Sequence, residues 1–185
     1  MLFRSVDFFA AVASGFDLPL GIQNATEYIG IGLDNPAMRT LTNRAQNIQI
    51  LKAEGPAPYI SGLMLELGED FTVFNGRNGV ELIDNLRAGC AGTIPGVECC
   101  DLQVQIYNSW RSGDHSAATT QFRHALPLLS YLMLTIDHLL CYGKRLAAQR
   151  LGIAQVHDRQ PAMAARAVDL DTLEFWSRHL EPLPE

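Results

Sequence analysis

Ile48-Gln49-Ile50-Leu51-Lys52-Ala53-Glu54 is an apolar, strand-like run with a lysine near its end. Aliphatic residues in so short a run, bounded by turn signals, read as a strand with much of its surface covered. Lys52 is one of only two lysines in the chain, Lys144 being the other, and the remaining twelve basic residues are arginines. Burial strips water from an ammonium and favours the neutral amine. A neutral amine attacks a ketone and forms a Schiff base, which an arginine does not do. The alternative is an ion pair at the strand end, for which Glu54 is the ready candidate.

Outward from this run the chain alternates strand and helix. Upstream, residues 6–14 read as an amphipathic helix stopped by Gly15, residues 18–23 as a strand and residues 24–28 as a loop. A helix capped by Asp34 or Asn35, with Pro36 in its first turn, follows to about Ala45. Downstream come a helix over residues 59–67, a strand over 71–75, a loop through Gly76 and Gly79, a helix over 80–88 and a short strand over 90–94. Four strand-helix alternations with apolar strands predict a parallel α/β sheet. After Asp101 only helices are expected, over 102–112, over 116–151 with a break near Pro127, and over 170–180.

Polar residues gather where the strands end: Gln23-Asn24, Lys52 with Glu54, Asn75-Gly76-Arg77, and Thr93. Functional groups at successive carboxyl ends of parallel strands are how a (β/α)8 barrel builds its site, although such a barrel takes roughly 250 residues and this pattern has half its strands. The dinucleotide fingerprint is missing, because Gly30-Ile31-Gly32 runs into Leu33-Asp34-Asn35.

Composition excludes several classes. A length of 185 residues with 48% hydrophobic content suits about one domain core. A net charge of −6 argues against nucleic acid, whose phosphates need a concentrated basic surface. The richest apolar stretch, residues 125–142, contains Pro127, Asp137 and His138 and falls short of the roughly 20 residues of a membrane span, so no membrane partner is expected. Residues 1–5 lack the apolar core of a secretory leader. Cys90, adjacent Cys99 and Cys100, and Cys141 have neither zinc nor redox spacing and read as thiols of a reducing cytoplasm. The histidines at 115, 124, 138, 157 and 179 show no i, i+4 pair, so no metal is expected, nor any cofactor.

Four pieces, in order, carry a family resemblance: Asp17-Leu18-Pro19 entering a strand, Ile50-Leu51-Lys52-Ala53-Glu54, Phe71-Thr72-Val73-Phe74-Asn75-Gly76, and Gly89-Cys90-Ala91-Gly92-Thr93-Ile94. From about Val6 onward the chain resembles the carboxyl-terminal part of the dihydrodipicolinate synthase / N-acetylneuraminate lyase family of class I aldolases. The resemblance implies an α/β fold of the (β/α)8 TIM-barrel family. Residues 1–100 would form its second half, strands five to eight, and residues 101–185 the carboxyl-terminal helical bundle. The paired-threonine loop that holds the substrate carboxylate in the family lies on the other half. Residues 1–5 match what an adapter sequence encodes and are expected to be non-native.

The resemblance further implies that Lys52 forms a Schiff base with a 2-oxo acid, the iminium then serving as an electron sink. Gly76 and Ile94 would surround the bound acid; the alternatives are a turn glycine and a core isoleucine. Gln23 stands where the family has a catalytic tyrosine, and a glutamine can orient a hydroxyl but cannot shuttle protons. Tyr28 falls near the family's carboxylate-binding arginine; the alternative is packing on the barrel rim. Glu54 shares the barrel face of Lys52 because strand side chains alternate, and would be a general acid/base, bind substrate hydroxyls, or simply pair with Lys52. Arg77 would bind a distal carboxylate, or be a solvated loop arginine. The block from Asn75 to Gly89 resembles sugar-acid members, so the expected activity is a dehydratase or aldolase on a 2-keto-3-deoxy sugar acid. The other outcomes are dihydrodipicolinate-type condensation of pyruvate and an inactive remnant. The family's usual assembly, a dimer of dimers, makes a homo-oligomer the expected partner state. A half barrel also exposes two strand edges, which favour self-pairing.

Overall fold

The computed structural model describes residues 2–183, so the expectation of non-native residues 1–5 falls partly, at Met1, outside the described residues. Two compact units meet at Ile94 and Pro95, whereas the sequence reading set the division after residue 100.

The first unit is a four-stranded parallel sheet in the order β1-β2-β3-β4, with β1 at Leu20–Asn24, β2 at Ile48–Ala53, β3 at Thr72–Asn75 and β4 at Gly92–Thr93. Strictly sequential order among parallel strands, each joined to the next through helix, is half of a (β/α)8 barrel. The helices are α1 (Leu2–Ala13), α2 (Thr26–Ile29), α3 (Asn35–Arg44), α4 (Ala57–Leu67) and α5 (Leu82–Arg87). Met38 and Leu41 of α3, Ile60, Leu63 and Leu67 of α4, and Val6 and Ala13 of α1 bury against Leu51, Ala53 and Val73 of the strands. Each fully buried aliphatic side chain contributes about 1.5–3 kcal/mol. The expected start of α3 holds: the Asp34 carboxylate accepts the Ala37 N–H at 2.9 Å and Pro36 occupies the first turn.

Register decides what meets at the top of the sheet. Gln23 pairs with Lys52, and Lys52 with Phe74, which pairs with Gly92. The next row is Asn24, Ala53, Asn75 and Thr93. Alternation therefore sends Gln23, Lys52 and Phe74 to one face and Asn24, Ala53 and Asn75 to the other.

The second unit is helical, with α6 (Cys100–Arg111), α7 (His115–Leu132), α8 (Ile136–His138), α9 (Lys144–Arg150) and α10 (Ala167–Ser177). Pro127 does not break α7 as expected. The break comes after Leu132, where Thr135 is extended and its hydroxyl caps the next turn by accepting the His138 N–H at 3.0 Å. A proline costs one hydrogen bond and crowds one carbonyl, and the buried Ala125, Leu128, Leu129 and Leu132 on either side of it hold the helix together. Several basic residues of this unit form ion pairs. Lys144 and Arg145 pair with Asp158, and Arg150 makes two bonds to Asp101 at 2.7 and 2.8 Å. Among the described residues, no single helix is long and apolar enough to cross a membrane, although α7 and the helical stretch that follows, bent by 100°, pass that test as a pair. All four cysteines are free thiols.

Candidate active site at the carboxyl end of the sheet

Lys52 leaves β2 pointing to the same face as Glu54, and the two meet: Nζ lies 2.9 Å from Glu54 Oε1. The lysine side chain is 25% exposed and the carboxylate 6%, so the amine is reachable while its partner is fixed. Gln23, one strand over, lies against both. Its amide nitrogen donates to Glu54 Oε1 at 3.3 Å, and its oxygen accepts from Lys52 Nζ at 3.5 Å. The ion pair named as the alternative to a free amine is thus the arrangement present.

Glu54 owes its position to the loop after β3. Its Oε2 accepts the Arg77 N–H at 3.0 Å. Gly76 supplies the space, since a Cβ there would stand 2.0 Å from Oε2 and 2.3 Å from the carboxyl carbon. Gly76 is therefore more than a turn glycine. The next two residues, Arg77 and Asn78, are left-handed at φ 52° and 50°. Non-glycine residues hold that conformation at a cost of about 1–2 kcal/mol each. Here it aims the Arg77 N–H at the carboxylate.

The guanidinium of Arg77, 20% exposed, is held by two carboxylates. It bonds Glu81 Oε1 at 3.0 Å and pairs with Glu27 of α2, cross-linking the loops after β1 and β3. Burial pushes the Glu81 carboxyl up against the pull of Arg77. Tyr28, also on α2, turns its hydroxyl inward; burial first, and the Glu54 carboxylate second, push the phenol up to about 12. Ile94 stands apart from this cluster. Its N–H bonds the Asn75 carbonyl at 2.8 Å and its side chain is 42% exposed, so it is not a core residue in this unit.

Three further contributors had no role assigned from the sequence, although Asn24 and Asn75 stood among its polar strand ends. Asn24 and Asn75, buried on the opposite face, brace the strand ends: Asn24 exchanges two 3.0 Å bonds with Leu33, and Asn75 bonds the Gly55 carbonyl at 2.9 Å. Phe74 is the register neighbour of Lys52. Alternation counted outward from Lys52 and Asn75 was the signal for all three. Among the described residues, no group of three His, Cys, Asp or Glu side chains is placed to hold a metal ion.

A sequentially ordered parallel sheet with its polar groups at the strand carboxyl ends defines the class, a (β/α)8-barrel protein represented by its second half. Comparisons with known proteins agree. No family model matches the chain. It is 26% identical over 152 residues to L-2-keto-3-deoxyarabonate dehydratase of Azospirillum brasilense, covering 78% of this chain and 49% of that protein. It is 25% identical over 178 residues to 4-hydroxy-tetrahydrodipicolinate synthase of Methanopyrus kandleri, covering 95% of this chain and 57% of that protein. The fold matches the 4-hydroxy-tetrahydrodipicolinate synthase of Methylacidiphilum fumariolicum with a TM-score of 0.84 at 18% identity, over 96% of this chain and 59% of that one. It matches the dihydrodipicolinate synthase of Aquifex aeolicus with a TM-score of 0.81 at 21% identity, over 100% and 63%. The chain spans about half the length of the curated relatives it matches. These matches set the chain beside dihydrodipicolinate synthases and a keto-deoxy sugar acid dehydratase.

Proposed function

We propose that this chain carries the Schiff-base half of a lyase acting on a 2-oxo acid, with a 2-keto-3-deoxy sugar acid as substrate and Lys52 as nucleophile. The observation that carries the reading is the Lys52–Glu54 contact, 2.9 Å, at the carboxyl end of a barrel strand. An amine must lose a proton before it attacks, and the Glu54 carboxylate is the group within reach to take it. Once the iminium has formed, the same carboxylate is placed to remove a proton from the adjacent carbon. The electrons flow into the iminium, and the resulting enamine expels a hydroxyl one carbon further on. The site needs no cofactor. It acts on a small organic acid, in the cytoplasm and in a homo-oligomer, as the family resemblance implies.

The second reading is pyruvate condensation, favoured by the likeness to 4-hydroxy-tetrahydrodipicolinate synthases. Gln23 weighs against it, because a glutamine in contact with both Lys52 and Glu54 offers no titratable proton. The test is borohydride trapping with pyruvate and with a 2-keto-3-deoxy sugar acid, mapped by peptide mass. Lys144, held by the His157 carbonyl at 2.7 Å and by Asp158, is the internal control. Label on Lys52 alone is expected; equal label on both lysines, or none on a folded chain, overturns the proposal.

A further inference from the structure

The loops that follow β1 and β3 stand on either side of β2, the strand that carries Lys52. An ion-pair bridge joins them: Arg77, after β3, pairs with Glu27, after β1, and reaches Glu81 Oε1 at 3.0 Å. The bridge is tied to the reactive group, since the Arg77 N–H lies 3.0 Å from Glu54 Oε2 and Glu54 Oε1 lies 2.9 Å from Lys52 Nζ. The charge balance at this rim is negative. Among the described residues, the segments after the strands, 25–34, 54–56 and 76–81, carry Arg77 as their one cation against Glu27, Asp34, Glu54 and Glu81. Lys52 is matched by Glu54, so Arg77 is the cation left for a second substrate charge, and two carboxylates already hold it. Glu81, 15% exposed, does not give up its partner cheaply, because a carboxylate cut off from both water and its cation is strongly destabilised. Glu27, 39% exposed, can accept a hydroxyl without leaving Arg77, since a carboxylate has about four lone-pair sites.

We infer that Glu27 and Glu81 determine specificity: the site accepts a 2-oxo acid with a single carboxylate and an uncharged, hydroxylated far end, and rejects one with a second carboxylate at that end. The inference rests on the Schiff-base reading of Lys52 and narrows its substrate. The far end of an acid bonded to Nζ leaves the end of β2 towards the bridge between its neighbouring loops. A hydroxyl there donates to Glu27. A carboxylate there meets Glu27 and Glu81 at close range, and reaches the guanidinium only by displacing one of them. Like charges set together in this way cost more than a hydrogen bond returns, so the pair acts against the wrong substrate rather than for the right one. The arginine that the resemblance assigns to a distal carboxylate thus has the opposite effect here, because it gathers the charges that exclude one.

The test is borohydride trapping at Lys52 with subsaturating pyruvate, 2-oxoglutarate, and the ester of 2-oxoglutarate methylated on its distal carboxylate, which keeps the carbon chain and loses the second charge. The wild type should label with the ester about tenfold or more faster than with 2-oxoglutarate. Glu81→Gln and Glu27→Gln keep an oxygen for Arg77 to bond but lose a charge, and each should raise the ratio of the 2-oxoglutarate rate to the ester rate about three- to tenfold. The ratio is the readout because a loosened Glu54 slows both probes alike. Equal wild-type rates with the two probes, or a faster rate with 2-oxoglutarate, overturn the inference. A ratio unchanged in either folded variant also overturns it and would mark exclusion by shape. Label with pyruvate but with neither longer probe overturns it while sparing Lys52. No label with pyruvate on a folded chain overturns the Schiff-base reading, and this inference falls with it.

Discussion

Replacing Gly76 by alanine should disable the site without touching any of its side chains. The new Cβ would lie 2.0 Å from Glu54 Oε2 and 2.3 Å from both Oε1 and the carboxyl carbon. Ordinary contact begins near 3.4 Å, so the carboxylate must retreat by roughly 1.4 Å. That displacement stretches the 2.9 Å contact with Lys52 and the 3.0 Å bond from the Arg77 N–H beyond hydrogen-bond range. Glu54 has little room to find water, being 6% exposed. A buried carboxylate separated from its partner costs about 3–5 kcal/mol, and less here because Lys52 is partly solvated, so a loss of about 2–3 kcal/mol is expected. Chemistry should suffer comparably, since an ångström of misplacement costs about 100-fold in rate. Urea denaturation gives the first quantity and the rate of borohydride trapping at Lys52 the second. A Gly76→Ala chain with an unchanged midpoint and unchanged trapping would show that Glu54 is not held as described and refute the reasoning about Lys52 with it.

Three further outcomes are expected. Glu54→Gln keeps the shape and the bond from Arg77 but cannot take a proton, so deuterium exchange into the methyl group of pyruvate should slow by about 10²–10³-fold; exchange at the wild-type rate would assign the base elsewhere. Asp101→Asn removes the charged partner of Arg150, whose side chain is 4% exposed and keeps its bonds to the Glu98 and Glu181 carbonyls, and should destabilise the helical unit by about 2 kcal/mol in a denaturant titration. Arg150 holds the Asp101 carboxyl below its usual 3.8, so this stability is present above pH 3.8 and fades as pH falls below it, and the gap between variant and wild type should close in acid. Burial pushes the Cys99 thiol up from 9.0 to about 12, so the folded chain keeps a proton that the unfolded chain releases. Stability from this source is whole below pH 9 and declines by about 1.4 kcal/mol per pH unit above it, a slope that Cys99→Ala should flatten in melting curves.

The half barrel was legible in the sequence because each strand is bounded by turn residues and each helix by a stop or cap. Gly15, Asp34 with Pro36, and Gly89 punctuate the chain where the structure does. The Lys52–Glu54 pairing was legible too, from period-two alternation alone. Roles that depend on register across strands were not. Nothing local to Gln23 says that it pairs with Lys52, nor does anything local to Gly76 say that a carboxylate from residue 54 packs on its Cα. The partners of Arg77 were hidden for a related reason. Its two carboxylate partners, Glu27 and Glu81, are 50 and 4 residues away, and only the near one could be suspected. Pro127 shows the opposite error, a local rule overridden by buried neighbours on both sides.

The order of these dependencies says where the chemistry resides. Among the described residues, the groups bonded to the Lys52 and Glu54 side chains come from three short pieces, residues 23–28, 52–55 and 75–78, each the end of a strand with the loop that follows it. Those loops are locked by bonds within the same unit: Asn75 to Gly55, Glu54 to the Arg77 N–H, Arg77 to Glu27 and Glu81. The left-handed pair Arg77–Asn78 has no glycine to relax it, so the backbone bond to Glu54 and the side-chain bonds of Arg77 must together outweigh about 2–4 kcal/mol of conformational cost. A loop held on such terms is rigid only while both carboxylates stay in place. Loss of Glu27 should therefore loosen Glu54 as well, because Arg77 bonds both. Glu27→Gln lowering the trapping rate at Lys52, with pyruvate as the acid, is the signature of that coupling. An unchanged rate would mean that the Gly76 cradle alone suffices to hold the carboxylate.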